Sequence, residues 1–271
     1  MTTETVTKST GTILDKIAEH ARERVRLAKE QLSEADIRRM AESLPKRPGR
    51  FLQALSGSKL SFICECKKAS PSKGVIAENF PYLHIAKEYE AAGADAISVL
   101  TEPAWFLGSD EYLREIAEEV KIPCLRKDFT VDPYMIYEAK LLGASAVLLI
   151  VSLLDGGTLR EYLNICDSLG LAALTEVHDE AEMETALSSG AGIIGVNNRN
   201  LKDFTVDTEN SRRLRQMVPA GKIFVSESGV RTAEDVAALQ AAGVDAVLVG
   251  ETLMRAADIR GKLAELRGEW F

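Results

Sequence analysis

The sequence predicts an α/β protein, a (β/α)8 barrel with an N-terminal helical extension, and two observations lead to that prediction. Four segments share one pattern, in which an apolar-periodic helix ends at a glycine and an aliphatic run follows. They are EAAGADAISVL at 90–100, KLLGASAVLLI at 140–150, SSGAGIIGV at 188–196 and QAAGVDAVLVG at 240–250. A glycine-capped helix followed by a fully apolar strand is half of a β/α unit. Eight such strands recur over roughly 220 residues, close to the usual size of these barrels.

The strands are predicted near 61–67, 95–100, 122–127, 145–151, 171–176, 192–197, 222–227 and 245–249. Helical patterns lie between them, for example at 81–92, 133–142, 179–189 and 232–242. An open doubly wound parallel sheet is the alternative, although that architecture gives no reason to stop at eight strands.

Residues 1–50 are predicted to form a helical extension that packs on a catalytic barrel at 51–271, as one domain overall. From Thr12 to Leu32 apolar residues recur at steps of three and four, which indicates an amphipathic helix. A second short helix is expected at 34–43, before the Pro- and Gly-containing break at 45–49. Two helices alone cannot build a stable core, so this segment must pack on the barrel.

Composition and charge exclude several classes of function. The chain of 271 residues has a formal net charge of −8, whereas nucleic acids and anionic membranes are bound through excess Lys and Arg. No N-terminal signal is present, and the longest apolar run, at 146–154, is too short to span a bilayer. Four cysteines in a chain of this length predict reduced, buried thiols and a cytoplasmic location.

Two further patterns argue against bound groups. The three histidines are dispersed and the Cys-x-Cys at 64–66 has no partner pair, so no metal site is expected. The G-x-G-x-x-G at 190–195 follows a helix and precedes a strand, the reverse of the order that dinucleotide binding requires.

The first predicted strand and its loop, FICECKKASPSKG at 62–74, carry the first functional signal. Strand parity places Glu65 and Lys67 on one face and the apolar set, with Phe62, on the other. A solvated ion pair on an exposed strand face is the simpler interpretation. A strand with its other face in a core favours a functional cavity on the charged side.

Polar residues also end the other strands, as in LRKDF, LTEV, VNNRN, VSESGV and VGE. Active sites of these barrels lie at the carboxyl ends of the strands, so six polar ends predict one site. Lysines and glutamates without histidine suit general acid–base chemistry tuned by burial. Ser228-Gly229 and Gly250-Glu251, after strands seven and eight, predict a phosphate site and hence a small phosphorylated substrate.

Seven motifs occur in order over about 60–255, namely ECKKASPSKG, LTEPAWFLGS, LRKDF, LTEV, VNNRNL, VSESGV and VGETLM. As a series, they resemble the motifs of the indole-3-glycerol-phosphate synthase family of tryptophan biosynthesis. The resemblance implies that 1-(2-carboxyphenylamino)-1-deoxy-D-ribulose 5-phosphate closes to indole-3-glycerol phosphate with loss of CO2 and water. It implies no cofactor, because the aromatic amine of the substrate provides the electron sink.

The resemblance also implies roles for individual residues. Lys127 would protonate the ribulose carbonyl, Glu176 would orient that lysine, and Glu65 and Lys67 would serve the later dehydration, with Lys67 also able to hold the substrate carboxylate. The catalytic set is Glu65, Lys67, Lys127, Glu176, Asn197 and Ser228. The substrate-binding set is Ser70, Phe106, Phe129, Leu148, Arg199, Leu201, Gly229, Gly250 and Glu251. Some family members carry a basic residue at the position of Ala69 and a serine at that of Glu251, which puts the phosphate contacts in doubt.

Three other functions stay open on the sequence. Phosphoribosylanthranilate isomerase, a related barrel, would end its strands in an acid and a cysteine instead of two lysines. A Schiff-base aldolase would use Lys127 as nucleophile, and a silent barrel would serve as a binding subunit. A monomer is compatible with the sequence, as are other tryptophan-pathway enzymes as partners.

Overall fold

A computed structural model describes residues 9–200 and 202–269 and contains a closed barrel of eight parallel strands. The strands of the chain are β1 (Ser61–Cys66), β2 (Ala69–Ser70), β3 (Gly74–Val75), β4 (Ala96–Leu100), β5 (Cys124–Lys127), β6 (Ala146–Ile150), β7 (Ala172–Val177), β8 (Ile193–Asn197), β9 (Ile223–Glu227) and β10 (Ala246–Val249). Each barrel strand pairs with the next along the chain, and β10 returns to β1, with Ser61 opposite Ala246. The small pair β2–β3 is antiparallel and lies in the loop after β1. The predicted barrel is confirmed, and the doubly wound alternative is wrong.

Helices alternate with these strands. They are α1 (Ile13–Gln31), α2 (Glu34–Ser43), α3 (Arg50–Leu55), α4 (Tyr82–Ala91), α5 (Asp110–Glu119), α6 (Pro133–Leu141), α7 (Gly156–Leu169), α8 (Glu180–Ser189), α9 (Glu209–Arg215), α10 (Ala233–Ala241), α11 (Glu251–Met254) and α12 (Ile259–Leu266). Side-chain caps set many of their first residues; Thr12 accepts a hydrogen bond from the backbone of Leu14, and Asp132 precedes Pro133 at the start of α6. The glycine that ends the helix in each of the four repeats has a positive φ, from 79° at Gly243 to 96° at Gly190.

The first helix packs across the mouth of the barrel. Its apolar face buries Leu14 and Ile17, as its periodicity predicts. Its polar residues make ion pairs with barrel loops, and Arg24 donates two hydrogen bonds, of 2.7 and 3.0 Å, to the carboxylate of Asp128. The following helix, α2, packs against α6. The N-terminal segment is therefore joined to the end of the barrel where the polar strand ends lie.

Two short elements were not predicted. The six-residue helix α3 follows Gly49, and the β2–β3 pair turns back at Gly74, which has a φ of 64°. Both are too short to show a hydrophobic period, so sequence patterning gives no signal for them.

Two of the sequence predictions concern the burial of the cysteines and the presence of a membrane-spanning segment. All four cysteines are buried and unbonded, and burial raises the pKa of Cys124 and of Cys166 to about 12. These thiols are packing groups at neutral pH. Within 9–200 and 202–269, no helix has both the length and the apolar character needed to cross a membrane.

Candidate active site

One cavity of about 510 Å³ lies at the carboxyl ends of the barrel strands. Its lining includes all but one of the predicted site residues, namely Glu65, Lys67, Ser70, Phe106, Lys127, Phe129, Leu148, Glu176, Asn197, Arg199, Ser228, Gly229, Gly250 and Glu251. The remaining one, Leu201, lies outside the described residues. Eight strands thus deliver chemically different side chains to a single enclosed volume.

Lys127 occupies the centre of this cavity at the end of β5. Its Nζ donates to Glu176 Oε2 and to Glu227 Oε2, each at 3.0 Å. Burial disfavours the ammonium charge, but the two carboxylates outweigh it, and they hold the pKa of Lys127 above its ordinary value. The lysine is therefore a charged proton donor at neutral pH.

The two glutamates that contact Lys127 differ in protonation. Burial opposes ionisation of both carboxyls, yet Lys127 and the nearby His178 lower the pKa of Glu176. Burial, together with repulsion from Glu176, raises the pKa of Glu227 to about 7 against the attraction of Lys127. One carboxylate is thus a fixed anion, while the other can gain or lose a proton near neutral pH.

A second charged pair stands beside the first. Lys67 Nζ lies 2.6 Å from Glu65 Oε1, and the Glu65 side chain points into the barrel, as strand parity predicts. Gly250 makes room for this pair, since a Cβ there would lie 2.5 Å from Glu65 Oε1 and 3.0 Å from Lys67 Nζ. The solvated interpretation of this pair is wrong, because Glu65 is only 3% exposed.

Polar groups after β8 and β9 form one wall of the cavity. Asn197 Oδ1 accepts hydrogen bonds from Ser228 Oγ at 3.0 Å and from the backbone of Arg199 at 3.1 Å. Ser228 has a φ of 68°, in the left-handed region that non-glycine residues seldom adopt. A constrained serine at a strand end is typical of a functional turn.

The predicted phosphate end contains cations that sequence reasoning did not assign. Glu251 lies next to Gly250 and pairs with Arg255 at 3.1 Å and with Lys73 at 3.9 Å. Arg231 also lines the cavity there. The carboxylate of Glu251 is therefore balanced by neighbouring cations, and positive charge remains available although Ala69 supplies none.

An apolar wall faces the charged groups. The rings of Phe106 and Phe129 lie with their centroids 6.2 Å apart, and Leu148 borders the same space. The N-terminal helix adds Leu14 and Ile17 to this wall. This surface suits a flat, apolar ring.

Sequence reasoning missed three features of this site. It left Glu227 out of the candidate residues, although parity along β9 places that side chain on the inner face. The contribution of α1 to the cavity had no sequence signal beyond the apolar stripe. Sequence reasoning also gave no role to His178, whose Nε2 lies 3.5 Å from Glu176 Oε1. In the described ranges, no three His, Cys, Asp or Glu side chains are grouped so that they could hold a metal ion.

Comparisons with known proteins place these features in a family. The family model for indole-3-glycerol phosphate synthase matches residues 14–266. A protein of that name from Ruminiclostridium cellulolyticum is 58% identical over 257 residues, which cover 94% of this chain and 99% of the relative. One from Endomicrobium trichonymphae is 52% identical over 258 residues, with the same coverage. A crystal structure of 3-hexulose-6-phosphate synthase has a TM-score of 0.63 at 15% identity, covers 78% of this chain and all of that one, and shares the fold alone. The resemblance carried by the motif series is confirmed: the chain belongs to the indole-3-glycerol phosphate synthase family.

Proposed function

We propose that the protein closes 1-(2-carboxyphenylamino)-1-deoxy-D-ribulose 5-phosphate to indole-3-glycerol phosphate in tryptophan biosynthesis. A bond forms between the ring carbon that carries the carboxylate and the ribulose carbonyl carbon. The carboxylate leaves as CO2, and the hydroxyl made from the carbonyl leaves as water. The observation that carries this proposal is the buried ammonium of Lys127 held between Glu176 and Glu227.

Lys127 acts as the general acid in the first step. The carbonyl oxygen gains negative charge as the ring carbon attacks, and a fixed ammonium beside it donates the proton. Glu176 keeps the lysine aimed at the cavity, since its Oε2 accepts one of the lysine hydrogens at 3.0 Å. A buried acid of this kind needs no metal ion to stabilise the oxyanion.

Dehydration requires an acid for the departing hydroxyl and a base for a substrate proton. We assign these roles to the Lys67–Glu65 pair, whose contact of 2.6 Å joins an acceptor on β1 to a donor just after that strand. Glu227 supports both steps, because a carboxyl with a pKa of about 7 takes up and releases protons at neutral pH. Lys67 also has the charge to hold the substrate carboxylate before it leaves.

Substrate is bound along the length of the cavity. The anthranilate ring lies against Phe106, Phe129 and Leu148, with Leu201 kept in this set as a prediction. Asn197, Arg199 and Ser228 take the sugar hydroxyls. The phosphate is held by the backbone of Gly229, Gly250 and Glu251 near Ser70, and Lys73, Arg231 and Arg255 supply the charge.

A Schiff-base role for Lys127 is disfavoured by the same geometry. A lysine nucleophile must lose its proton, and neighbours that depress its pKa make this possible. Two carboxylates at 3.0 Å have the opposite effect and hold the pKa of Lys127 above its ordinary value. The electrostatics therefore support an acid.

The composition supports a cytoplasmic location and a small-molecule partner for this activity. An acidic chain with buried thiols fits a cytoplasmic enzyme that acts on a small phosphorylated molecule, without nucleic acid or membrane as a partner. A monomer would suffice, because every group assigned above comes from one chain.

The test is the appearance of indole fluorescence when the purified protein meets the proposed substrate. General acid catalysis contributes about 10²- to 10⁴-fold, so Lys127→Met should lose at least that much turnover and still bind substrate. Lys87→Met, whose lysine pairs with Glu119 on the surface, is the control and should match the wild type. A wild type that binds the compound without making indole would contradict the proposal and favour a silent barrel.

A further inference from the structure

A histidine stands behind the catalytic carboxylate. His178 follows β7, and its Nε2 lies 3.5 Å from Glu176 Oε1, whereas Lys127 Nζ contacts the other oxygen, Oε2. Within the described residues, this nitrogen is buried and has no hydrogen-bond partner. In the part of the chain that the structure describes, the one charged group at ion-pair distance from this nitrogen is the carboxylate that holds the catalytic lysine.

The other side of the imidazole ring is fixed. His178 Nδ1 lies 3.0 Å from Glu182 Oε2 and 3.2 Å from Ser152 Oγ. Glu182 also accepts the backbone N–H of His178 at 2.8 Å and the hydroxyl of Ser152 at 2.5 Å. A ring held this firmly cannot turn away from Glu176 without breaking several bonds.

The buried carboxylates around Lys127 outnumber the ammonium groups that contact them. Three buried carboxylates, Glu65, Glu176 and Glu227, face two ammonium groups, Lys67 and Lys127. The proposed substrate adds a further carboxylate and a phosphate. Against burial, Glu182 and Glu176 raise the pKa of His178, and the histidine in turn lowers the pKa of Glu182.

We propose that protonated His178 is a positioning residue that keeps Glu176 ionised and aimed at Lys127, so that Glu227 is the glutamate that carries the exchangeable proton. This role rests on the proposed function, since it concerns how the acid of that reaction is kept charged. Without the imidazolium, Glu176 would lose one of the groups that distinguish its pKa from that of Glu227. When substrate anions entered, Glu176 would then compete with the carbonyl for the lysine proton.

A nucleophilic role for Ser152 does not fit this arrangement. Serine and Glu182 share one nitrogen of the ring, and the hydroxyl donates to the carboxylate rather than to the histidine. A catalytic triad places the serine and the acid on opposite nitrogens. The cluster therefore acts on Glu176.

Several other charged groups lie near His178. Glu176 and Glu182 contact it, while Glu227 and Lys127 lie beyond Glu176. A second cavity, which His178 also lines, has further charged residues in its wall, namely Asp179, Arg199, Lys202, Asp207, Glu209, Arg212 and Arg213. These charges are of both signs, so Glu176 and Glu182 dominate.

A matched pair of substitutions tests the role. The amide nitrogen of glutamine reaches the position of Nε2, whereas that of asparagine reaches the position of Nδ1. His178→Asn should therefore lose kcat by roughly 10- to 100-fold, the range for one charge-assisted contact, with little change in KM. The acid limb of its pH profile of kcat should shift to higher pH by about one unit, because Glu176 becomes harder to ionise. His178→Gln keeps a hydrogen-bond donor at this position without the charge, so it should recover only part of the loss.

The outcomes separate this proposal from its alternatives. Equal losses in both variants with an unshifted pH profile would assign His178 a merely structural role, and wild-type behaviour in both would also overturn the proposal. Thermal unfolding identifies a variant that does not fold. A direct readout needs no activity: in Glu176→Gln, the NMR titration of His178 should shift to lower pH by about one unit. An unchanged titration refutes the proposal, whereas a wild type that makes no indole refutes only the proposed reaction.

Discussion

Two glutamates contact one ammonium group, but only Glu227 has a pKa near neutrality. Its carboxyl is buried, and its Oε1 has no hydrogen-bond partner among the described residues. Because the pKa of Glu227 is raised to about 7, the folded state binds a proton that the unfolded chain has released. The free energy of unfolding therefore falls as pH rises from the ordinary glutamate value, about 4.3, through 7.

Glu227→Gln is expected to stabilise the protein above pH 7 and to impair catalysis. Glutamine mimics the protonated carboxyl, so the free energy of unfolding at pH 8 should rise by roughly 1–3 kcal/mol. At pH 4, where the wild type is protonated too, the gain should disappear. Denaturant unfolding at both pH values measures this, and kcat should fall by about 10²-fold or more. Equal stability changes at the two pH values would contradict the raised pKa.

At the residue scale, sequence reasoning placed the side chains but missed one partner of Lys127, Glu227. Parity put Glu65 inside the barrel, and the strand ends put Lys127 and Glu176 at its mouth, because alternation and strand direction are local properties. That Glu227 reaches the same ammonium depends on the tilt and register of separate strands. No local pattern encodes such a distance.

Among the elements, β8 contains a glycine that leaves room for an active-site side chain. A Cβ on Gly195 would lie 2.1 Å from Glu227 Oε1 and 3.1 Å from Leu174 Cδ1. The last glycine of the G-x-G-x-x-G pattern is thus a steric requirement for the acid–base pair, and the pattern follows a helix and leads into a strand, in the order predicted.

Gly195→Ala should displace Glu227 and lower kcat by about 10²-fold, since a shift of about 1 Å has that effect on positioned groups. Gly192→Ala is the matched control just before the same strand, where an added Cβ meets nothing within 4 Å. Circular dichroism should show both variants folded. If the two variants kept equal activity, the steric argument for Gly195 would fail.

The barrel elements were predictable because their signals are long and repeated. The first strand was expected at 61–67 and is Ser61–Cys66, and the second helix was expected at 34–43 and is Glu34–Ser43. The helix α3 and the β2–β3 pair escaped prediction because two to six residues carry no period. The ends of a strand can be predicted when an aliphatic run is bounded by glycine and polar residues, whereas elements of two to six residues have no such pattern.

For the whole molecule, ion pairs and a hydrogen bond of His20 join the N-terminal helix to the barrel mouth. Arg24 binds Asp128, whose side chain is fully buried, His20 lies 3.2 Å from Glu102, and Lys29 lies 2.9 Å from Asp132. Asp128 follows Lys127 directly. The extension thus supports the loop next to the general acid, and we propose that 1–50 and 51–271 form one cooperative unit.

Arg24→Ala should therefore lower the free energy of unfolding by about 1–3 kcal/mol, because it leaves a buried carboxylate with fewer partners. The KM for substrate should rise as the Leu14 and Ile17 wall loosens. Arg26→Ala is the control on the same helix, since Arg26 pairs with the exposed Glu23 and Glu30 and its loss should leave Tm nearly unchanged. Matching Tm and KM values for the two variants would show that α1 does not depend on Asp128.

The pairing of β1 with β10 has a consequence for synthesis on the ribosome. Cys64 lies opposite Val249 in the pairing of β1 with β10. The first barrel strand therefore keeps one edge unpaired until the last strand has been made. The roughly 190 residues between them take about 10–40 s at ordinary translation rates. Glu65 lies on the first of these strands and Gly250 directly follows the last, and the two residues meet only when the barrel closes. A nascent chain therefore has no active site until its last barrel strand has left the ribosome, and a product truncated before that point exposes an open strand edge.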